Sequence, residues 1–267
     1  MRPSMRGPVS GARNGSLTRT VKAIAASLGY ELARRRPYSN DLDAFAQQHR
    51  MLANLPSQII FDVGAHKGET SKTYAALFPN AKIYAFEPFQ ESFEALARNT
   101  AGLPQVTVHP VGFAEAQGEF LLNVNLAAAT NSLLETDERA ADVWGQAICD
   151  TYDRVPCRFT SLDAFLTDGG IPRVNLLKLD VQGAELRVLL GARGALDAGL
   201  IDVIYLEIII MPTYKDQKSF AEYFEVLEDN KMNLYGIYNL SHISGRLRQI
   251  DAIFIRDGYD WATLAYE

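Results

Sequence analysis

The sequence predicts an α/β fold with a mostly parallel sheet and helices on both of its faces. Three observations predict it. Short apolar runs alternate with helical patterns along the chain, the order that builds βαβ units. The first apolar run ends in a glycine turn, and the second ends in an acid. Apolar residues make up 48% of 267 positions and charged residues 22%, enough apolar material for one large domain.

The elements follow in order. Residues 1–16 are rich in Gly, Pro, Ser and Arg, a composition that does not fold alone. Leu17–Leu32 shows a helical pattern through Val21, Ile24, Ala25 and Leu28. Its flanks are basic, which fits either a solvated extension or a surface helix resting on acidic lipid or a partner. A second helix is predicted over Asp41–Leu55, ended by Pro56. The domain division drawn from this is a basic N-terminal extension over 1–56 and the main domain over 57–267. Ile59–Val63 reads as a buried parallel strand. A helix over 68–78 follows, broken by Pro79-Asn80. Lys82–Phe86 is a second strand, Glu91–Asn99 a helix and Val106–Val111 a third strand. Asn175–Leu179 and Val203–Glu207 are later strands, each followed by a helical pattern. Asn233–Tyr238 and Gln249–Arg256 flank a loop pattern at Ser241–Gly245 and predict an antiparallel hairpin on one edge. Residues 123–158 break the alternation and read as an insertion that walls or lids the ligand end of the sheet.

Net charge is −6, unevenly spread. Eight basic side chains stand against Glu31 alone in residues 1–36, so the rest of the chain is strongly acidic. An acidic body argues against a nucleic-acid partner. Cys149 and Cys157 match neither a disulfide framework nor a metal-site spacing. They read as reduced thiols. There is no apolar run of membrane-spanning length and no signal-peptide h-region, so the expected location is cytoplasmic.

Ligands of open α/β sheets bind beyond the carboxyl ends of the strands. There the chain reads Asp62-Val63-Gly64-Ala65-His66-Lys67-Gly68-Glu69-Thr70. Gly64 permits a turn closed to other residues, and Gly68 lets the next helix approach. The spacing is not G-x-G-x-x-G. It offers fewer close backbone amides than a pyrophosphate needs, which favours a nucleoside without phosphate, S-adenosylmethionine over NAD. Glu87 closes the second strand, 23 residues after Gly64, where an acid can accept hydrogen bonds from ribose hydroxyls.

Phe61-Asp62-Val63-Gly64-Ala65-His66-Lys67-Gly68, Phe86-Glu87-Pro88 and Leu177-Lys178-Leu179-Asp180-Val181-Gln182-Gly183-Ala184-Glu185 together resemble the FkbM family of methyltransferases. Asn131-Ser132-Leu133-Leu134, Ser161-Leu162-Asp163, Leu206-Glu207-Ile208 and Gln249–Phe254 extend the resemblance over roughly 57–257. It implies a Rossmann-like three-layer sandwich with a seven-stranded sheet, the last strand antiparallel. It also implies methyl transfer to oxygen, often of sugar hydroxyls in glycans, glycolipids or secondary metabolites. Asp62, Gly64, Ala65, His66, Gly68, Thr70, Glu87, Pro88 and Asp180 are the cofactor-binding candidates, and the resemblance adds Glu115 near the adenine. His66 and Gln182 depart from the family pattern, where Asn and Glu are common.

A sugar hydroxyl is a poor nucleophile, so a general base or a metal should help remove its proton. Asp180 ends a strand beside Gly183 and is the leading base candidate; it could equally cap the helix expected over 183–196. Glu207 should lie beside it. The two could raise one another's pKa, hold a divalent cation, or Glu207 could pair with a lysine such as Lys178. Glu185 is expected on the following helix, salt-bridged or solvated. His242, in the late loop, is a third catalytic candidate, and His66 could act as a base from the first loop. His49 and His109 read as structural, and no histidine or cysteine spacing supports zinc. Met211–Tyr214, Trp144, Tyr152 and Asn131-Ser132 are candidate walls for a small-molecule or glycan acceptor. The rival functions are an NAD-dependent oxidoreductase or epimerase, whose G-x-G-x-x-G and Tyr-x-x-x-Lys signatures are missing, and a non-catalytic S-adenosylmethionine-binding module.

Overall fold

The computed structural model describes residues 43–145 and 148–259. Residues 1–42 of the predicted basic extension, including its helix at 17–32, lie outside the described residues. The chain runs through α1 (Ala44–Leu52), β1 (Ile59–Val63), α2 (Glu69–Leu77), β2 (Lys82–Phe86), α3 (Gln90–Thr100), β3 (Val106–His109), β4 (Gly112–Phe113) and β5 (Gly118–Asn125). A short 3-10 turn at Ala128–Thr130 leads to α4 (Ala140–Trp144), β6 (Thr151–Thr160), α5 (Leu162–Asp168) and β7 (Val174–Leu179). Then come α6 (Glu185–Leu190), α7 (Arg193–Asp197), β8 (Ile201–Ile209), α8 (Phe220–Asp229), β9 (Met232–Ile243) and β10 (Arg246–Arg256).

Seven strands form one sheet in the order β3-β2-β1-β7-β8-β10-β9. β1, β2, β3, β7 and β8 pair in parallel, and β10 enters antiparallel between β8 and β9. This is the three-layer α/β architecture expected, with the last strand antiparallel. Strand period two decides the layers. Ile60, Ile83, Leu176, Val203 and Ile253 point to one face, where Met51 and Leu52 of α1 and Tyr74 of α2 cover them. Phe61, Phe86, Leu177, Ile204 and Phe254 point to the other, under Leu166 of α5, Leu189 of α6, Leu196 of α7 and Leu227 of α8. β7 and β8 are buried almost end to end, the burial that β-strands with helices on both faces require. Asn175 is a buried polar residue on β7, and its Oδ1 accepts Ile59 N at 2.8 Å, which joins the starts of β1 and β7.

The sequence pattern differs from the structure in three places. Residues 123–158 hold the end of β5 and most of β6, which pair antiparallel and, with β4 beside β6, form a separate three-stranded sheet. β6 was obscured by Asp153, Arg154, Pro156 and Arg158, which dilute any alternation. Pro156 is tolerated because β4 pairs only with Phe159 and Thr160, leaving that edge of β6 without a partner strand. The helix expected over 183–196 is two short ones, α6 and α7, divided at Gly191, where a Cβ would sit 2.1 Å from the Ala114 carbonyl oxygen. The hairpin strands run longer than expected, to Ile243 and from Arg246, around a two-residue Ser244-Gly245 turn with both φ positive. Among the described residues no helix is long and apolar enough to cross a membrane.

Candidate functional site

The carboxyl end of β1 turns at Gly64, whose φ is +74°. A Cβ there would lie 1.9 Å from the Asp180 carbonyl oxygen, so the turn brings β1 and β7 into backbone contact. The amides of Gly64 and Ala65 both donate to Phe86 O, at 3.1 and 2.9 Å, which bends the turn over β2. Gly68, with φ +88°, caps α2 and packs against Leu96 of α3.

Between these strand ends opens a cleft. The lining follows the strand order: Glu87 and Pro88 after β2, Gly64, Ala65, His66, Glu69 and Thr70 after β1, and Asp180 and Gln182 after β7. Phe113, Leu122, Leu133 and Phe159 form an apolar wall. Glu87 is 7% exposed and accepts His66 N at 2.9 Å and Phe89 N at 3.0 Å. Burial pushes its carboxyl up to about 7, against the pull of those two amides. His66 sits at φ +48°, its Nε2 buried without a hydrogen-bond partner, and burial lowers its pKa. Asn131 Nδ2 is likewise buried and unpartnered, on a residue that lines the cleft. Lys178 is the cation among the lining residues, and it is fully engaged. Its Nζ lies 3.0 Å from Asp62 Oδ1 and 3.6 Å from Asp180 Oδ2, and donates to Gly64 O at 2.9 Å.

These residues fit S-adenosylmethionine. An apolar wall suits a purine, Glu87 ends β2 where ribose hydroxyls can donate to it, and two unpartnered donors or acceptors remain for the rest. The acids Glu69, Glu87 and Asp180 outnumber the single engaged lysine, which favours a cationic sulfonium and disfavours a pyrophosphate.

At the far end Gln182 Nε2 donates to Asp180 Oδ1 at 2.9 Å and to Glu207 Oε2 at 2.8 Å. Gln249 Nε2 donates to the other Glu207 oxygen. Burial, then the charges of Asp180, Glu185 and Asp251, push the Glu207 carboxyl well above its ordinary range. Asp180 and Glu207 are thus adjacent, as expected from their places at neighbouring strand ends. Lys178 pairs with Asp62 and Asp180, not with Glu207.

Several expected positions fall elsewhere. Asp62 does not line the cleft: it is fully buried beneath it, holding Lys178 and accepting Ser71 Oγ at 2.6 Å. Glu115 is on the surface, in a two-bond pair with Arg187 at 2.7 Å, because the β4–β5 turn points it outward. His242 is an exposed residue of β9, since the strand continues through the expected loop. Glu185 is on the helix as expected but neither solvated nor salt-bridged. It is 1% exposed and accepts Val181 N at 2.9 Å, Gly183 N at 3.2 Å and Tyr223 Oη at 3.1 Å. It, rather than Asp180, secures the turn before α6. Trp144 donates to Thr213 Oγ1 at 2.7 Å and lies under Arg248, and Tyr152 is exposed. Asn131 and Ser132, expected as a wall, line the cleft, whereas the bridging of two acids by Gln182 and the engagement of Lys178 with Asp62 had no sequence signal. Among the described residues no group of three or more His, Cys, Asp or Glu could hold a metal ion.

Residues 62–233 match the family model described as the methyltransferase FkbM domain. Methyltransferase sdnD of Sordaria araneosa is 32% identical over 167 residues, covering 52% of this chain and 62% of that protein. Hexuronic acid methyltransferase AglP of Haloferax volcanii is 28% identical over 153 residues, 56% of this chain and 55% of that protein. The 31-O-demethyl-FK506 methyltransferase FkbM of Streptomyces tacrolimicus is 27% identical over 165 residues, 52% and 61%. The chain therefore spans less than two thirds of each of these relatives.

Proposed function

This chain belongs to the FkbM family of methyltransferases, and from that premise we propose that it transfers a methyl group from S-adenosylmethionine to a hydroxyl oxygen of a sugar or sugar-bearing small molecule. The observation that supports this most is the continuity of the acid-rich, cation-poor cleft with the Asp180–Gln182–Glu207 cluster at its end. The oxygen acceptor is favoured by the chemistry of that cluster, and a sugar is favoured by the relative that acts on a hexuronic acid.

S-adenosylmethionine supplies an activated methyl on a sulfonium. The O–C bond forms as the S–C bond breaks, and sulfur keeps the electron pair of the broken bond. The protein's part is alignment and proton removal. Glu87 would take the ribose hydroxyls, and the apolar wall the base. Gly64 allows the close approach of the strand ends that brings Glu87 and Asp180 into one cleft. The acceptor's hydroxyl proton passes to the Asp180–Glu207 pair. Burial and the neighbouring charge of Asp180 raise the proton affinity of Glu207, which lets the pair take up a proton near neutrality.

Calorimetric titration with S-adenosylmethionine, S-adenosylhomocysteine and NAD in parallel tests the cofactor. The first two should bind in the micromolar range and NAD should not; binding of NAD alone would sink the assignment. Asp180→Asn should then abolish label transfer from methyl-labelled S-adenosylmethionine to a panel of sugars while S-adenosylhomocysteine affinity persists. Unchanged transfer would remove Asp180 from the chemistry.

A further inference from the structure

Gln182 occupies an unusual place. Its φ is +57°, a left-handed conformation that L residues other than Asn and Asp rarely adopt. The turn is held there from three sides. Ser132 Oγ donates to the Gln182 carbonyl at 2.7 Å, Glu185 accepts the amides of Val181 and Gly183 on either flank, and Gly183 packs against the Tyr214 ring. The result is a side chain aimed between two acids. One hydrogen of Nε2 goes to Asp180 and the other to Glu207. The carbonyl end faces Tyr214 Oη at 3.1 Å, whose proton it shares with the Thr130 carbonyl at 2.9 Å. That orientation is obligatory, because an amide oxygen turned towards two carboxylates would be repelled.

We propose that Gln182 is a positioning residue: its amide bridges Asp180 and Glu207 and favours the ionised form of each beside the place of the methyl donor's sulfonium. The proposal deepens the methyltransferase assignment above and rests on it. Two neighbouring carboxylates ordinarily share one proton, since ionising both brings like charges together. A donor hydrogen on each shifts the balance back to the charged forms. The remaining charged groups around the pair are set on separate elements. Lys178 on β7 favours the ionised pair, and burial, then Glu185 on α6 and Asp251 on β10, oppose it at Glu207. Burial lowers the pKa of His66 in the β1–α2 turn, which favours its neutral form. Tyr205 and Tyr214, both pushed up by burial, do not titrate in the working range.

The charge of the pair can be read without knowing the acceptor. S-adenosylmethionine and S-adenosylhomocysteine share their nucleoside and amino-acid parts and differ in the sulfonium methyl. The ratio of their dissociation constants therefore reports negative charge near sulfur. In the wild-type full chain this preference for the sulfonium should rise between about pH 6.5 and about pH 8.5 as the pair ionises. Gln182→Met keeps the length of the side chain and removes both donors. It should lose about tenfold of the preference at about pH 6.5, the equivalent of a pKa rise of about one unit, and recover it at about pH 8.5. Its S-adenosylhomocysteine affinity should stay at the wild-type value. Tyr214→Phe, which frees the amide to turn, should shift the ratio in the same direction by a smaller factor. A Gln182→Met ratio that tracks wild type at both pH values would overturn the proposal. So would a parallel loss of affinity for both ligands, which would make Gln182 only a wall of the cleft. Wild-type protein that binds neither ligand would instead overturn the methyltransferase assignment on which the proposal stands.

Discussion

Lys178→Met removes a buried cation from the junction of β1 and β7. The lysine side chain is 5% exposed and its partner Asp62 0%. Nζ reaches Asp62 at 3.0 Å, Gly64 O at 2.9 Å and Val63 O at 3.3 Å. At an effective dielectric of about 20 the ion pair's attraction at that distance is on the order of 5 kcal/mol, largely offset by the desolvation of both ions. Losing one partner is a different matter, because Asp62 would stay buried with Ser71 as its only donor. Breaking a buried pair in this way costs about 3–5 kcal/mol. For a domain of this size that lowers Tm by roughly 6–20 °C. Burial pulls the Lys178 pKa down, but the charges of Asp62 and Asp180 outweigh it and hold the group above its ordinary value. A cation raised in this way contributes its full stability below its unfolded pKa and loses it only as pH rises through the folded one. The wild-type pair is therefore undiminished between about pH 6 and about pH 9. Urea unfolding followed by far-ultraviolet circular dichroism should show the deficit as a lower midpoint with an unchanged slope. Asp62→Asn combined with Lys178→Met leaves no buried charge and should recover at least about 1 kcal/mol over the single variant. A single variant within about 1 kcal/mol of wild type, or a double variant no better than the single one, would refute this account of the junction.

Three further outcomes are expected. Glu87→Gln should weaken S-adenosylmethionine binding by roughly tenfold to a hundredfold, the worth of a charge-assisted hydrogen bond. Because the wild-type carboxyl titrates near 7, wild-type affinity should climb between about pH 6 and about pH 8 while the variant stays flat; equal affinities in calorimetry would count against Glu87 as the ribose acid. Gly64→Ala places a Cβ 1.9 Å from a backbone oxygen at φ +74°, so it should cost more than about 4 kcal/mol and abolish the cooperative thermal transition; a wild-type melt would contradict the turn described above. Burial pushes Glu185 up to about 7, so the folded state binds its proton more tightly than the unfolded chain does. Stability from this group is present at low pH and lost as pH rises from about 4.5 to about 7. Glu185→Gln should gain on wild type by up to about 3 kcal/mol across that window, and a difference independent of pH in urea titrations would exclude a buried, titrating Glu185.

The apolar runs at Ile59–Val63, Lys82–Phe86 and Val203–Glu207 were legible as buried strands because burial on both faces leaves little room for polar residues. Gly64 was legible for a steric reason and Glu87 for its place at a strand end, and the structure puts Gly64 and Glu87 in one cleft. Asp180 and Glu207 could be placed side by side from strand ends alone, since neighbouring parallel strands present their carboxyl ends together. What a linear pattern does not encode is where a side chain goes after the strand ends. Asp62 turned inward to Lys178, Glu115 outward to Arg187, and Glu185 back onto its own turn, each according to the partner that tertiary packing placed within reach. β5 and β6 were hidden because a small sheet away from the main core can keep charged residues on its open face. The role of Gln182 was decided last of all: its two hydrogen bonds reach residues 2 and 25 positions away, and only the fold brings Glu207 and Tyr214 to the same amide. Local propensity and burial period are written in consecutive residues, whereas the charge state of a buried cluster depends on contacts made by several strands at once.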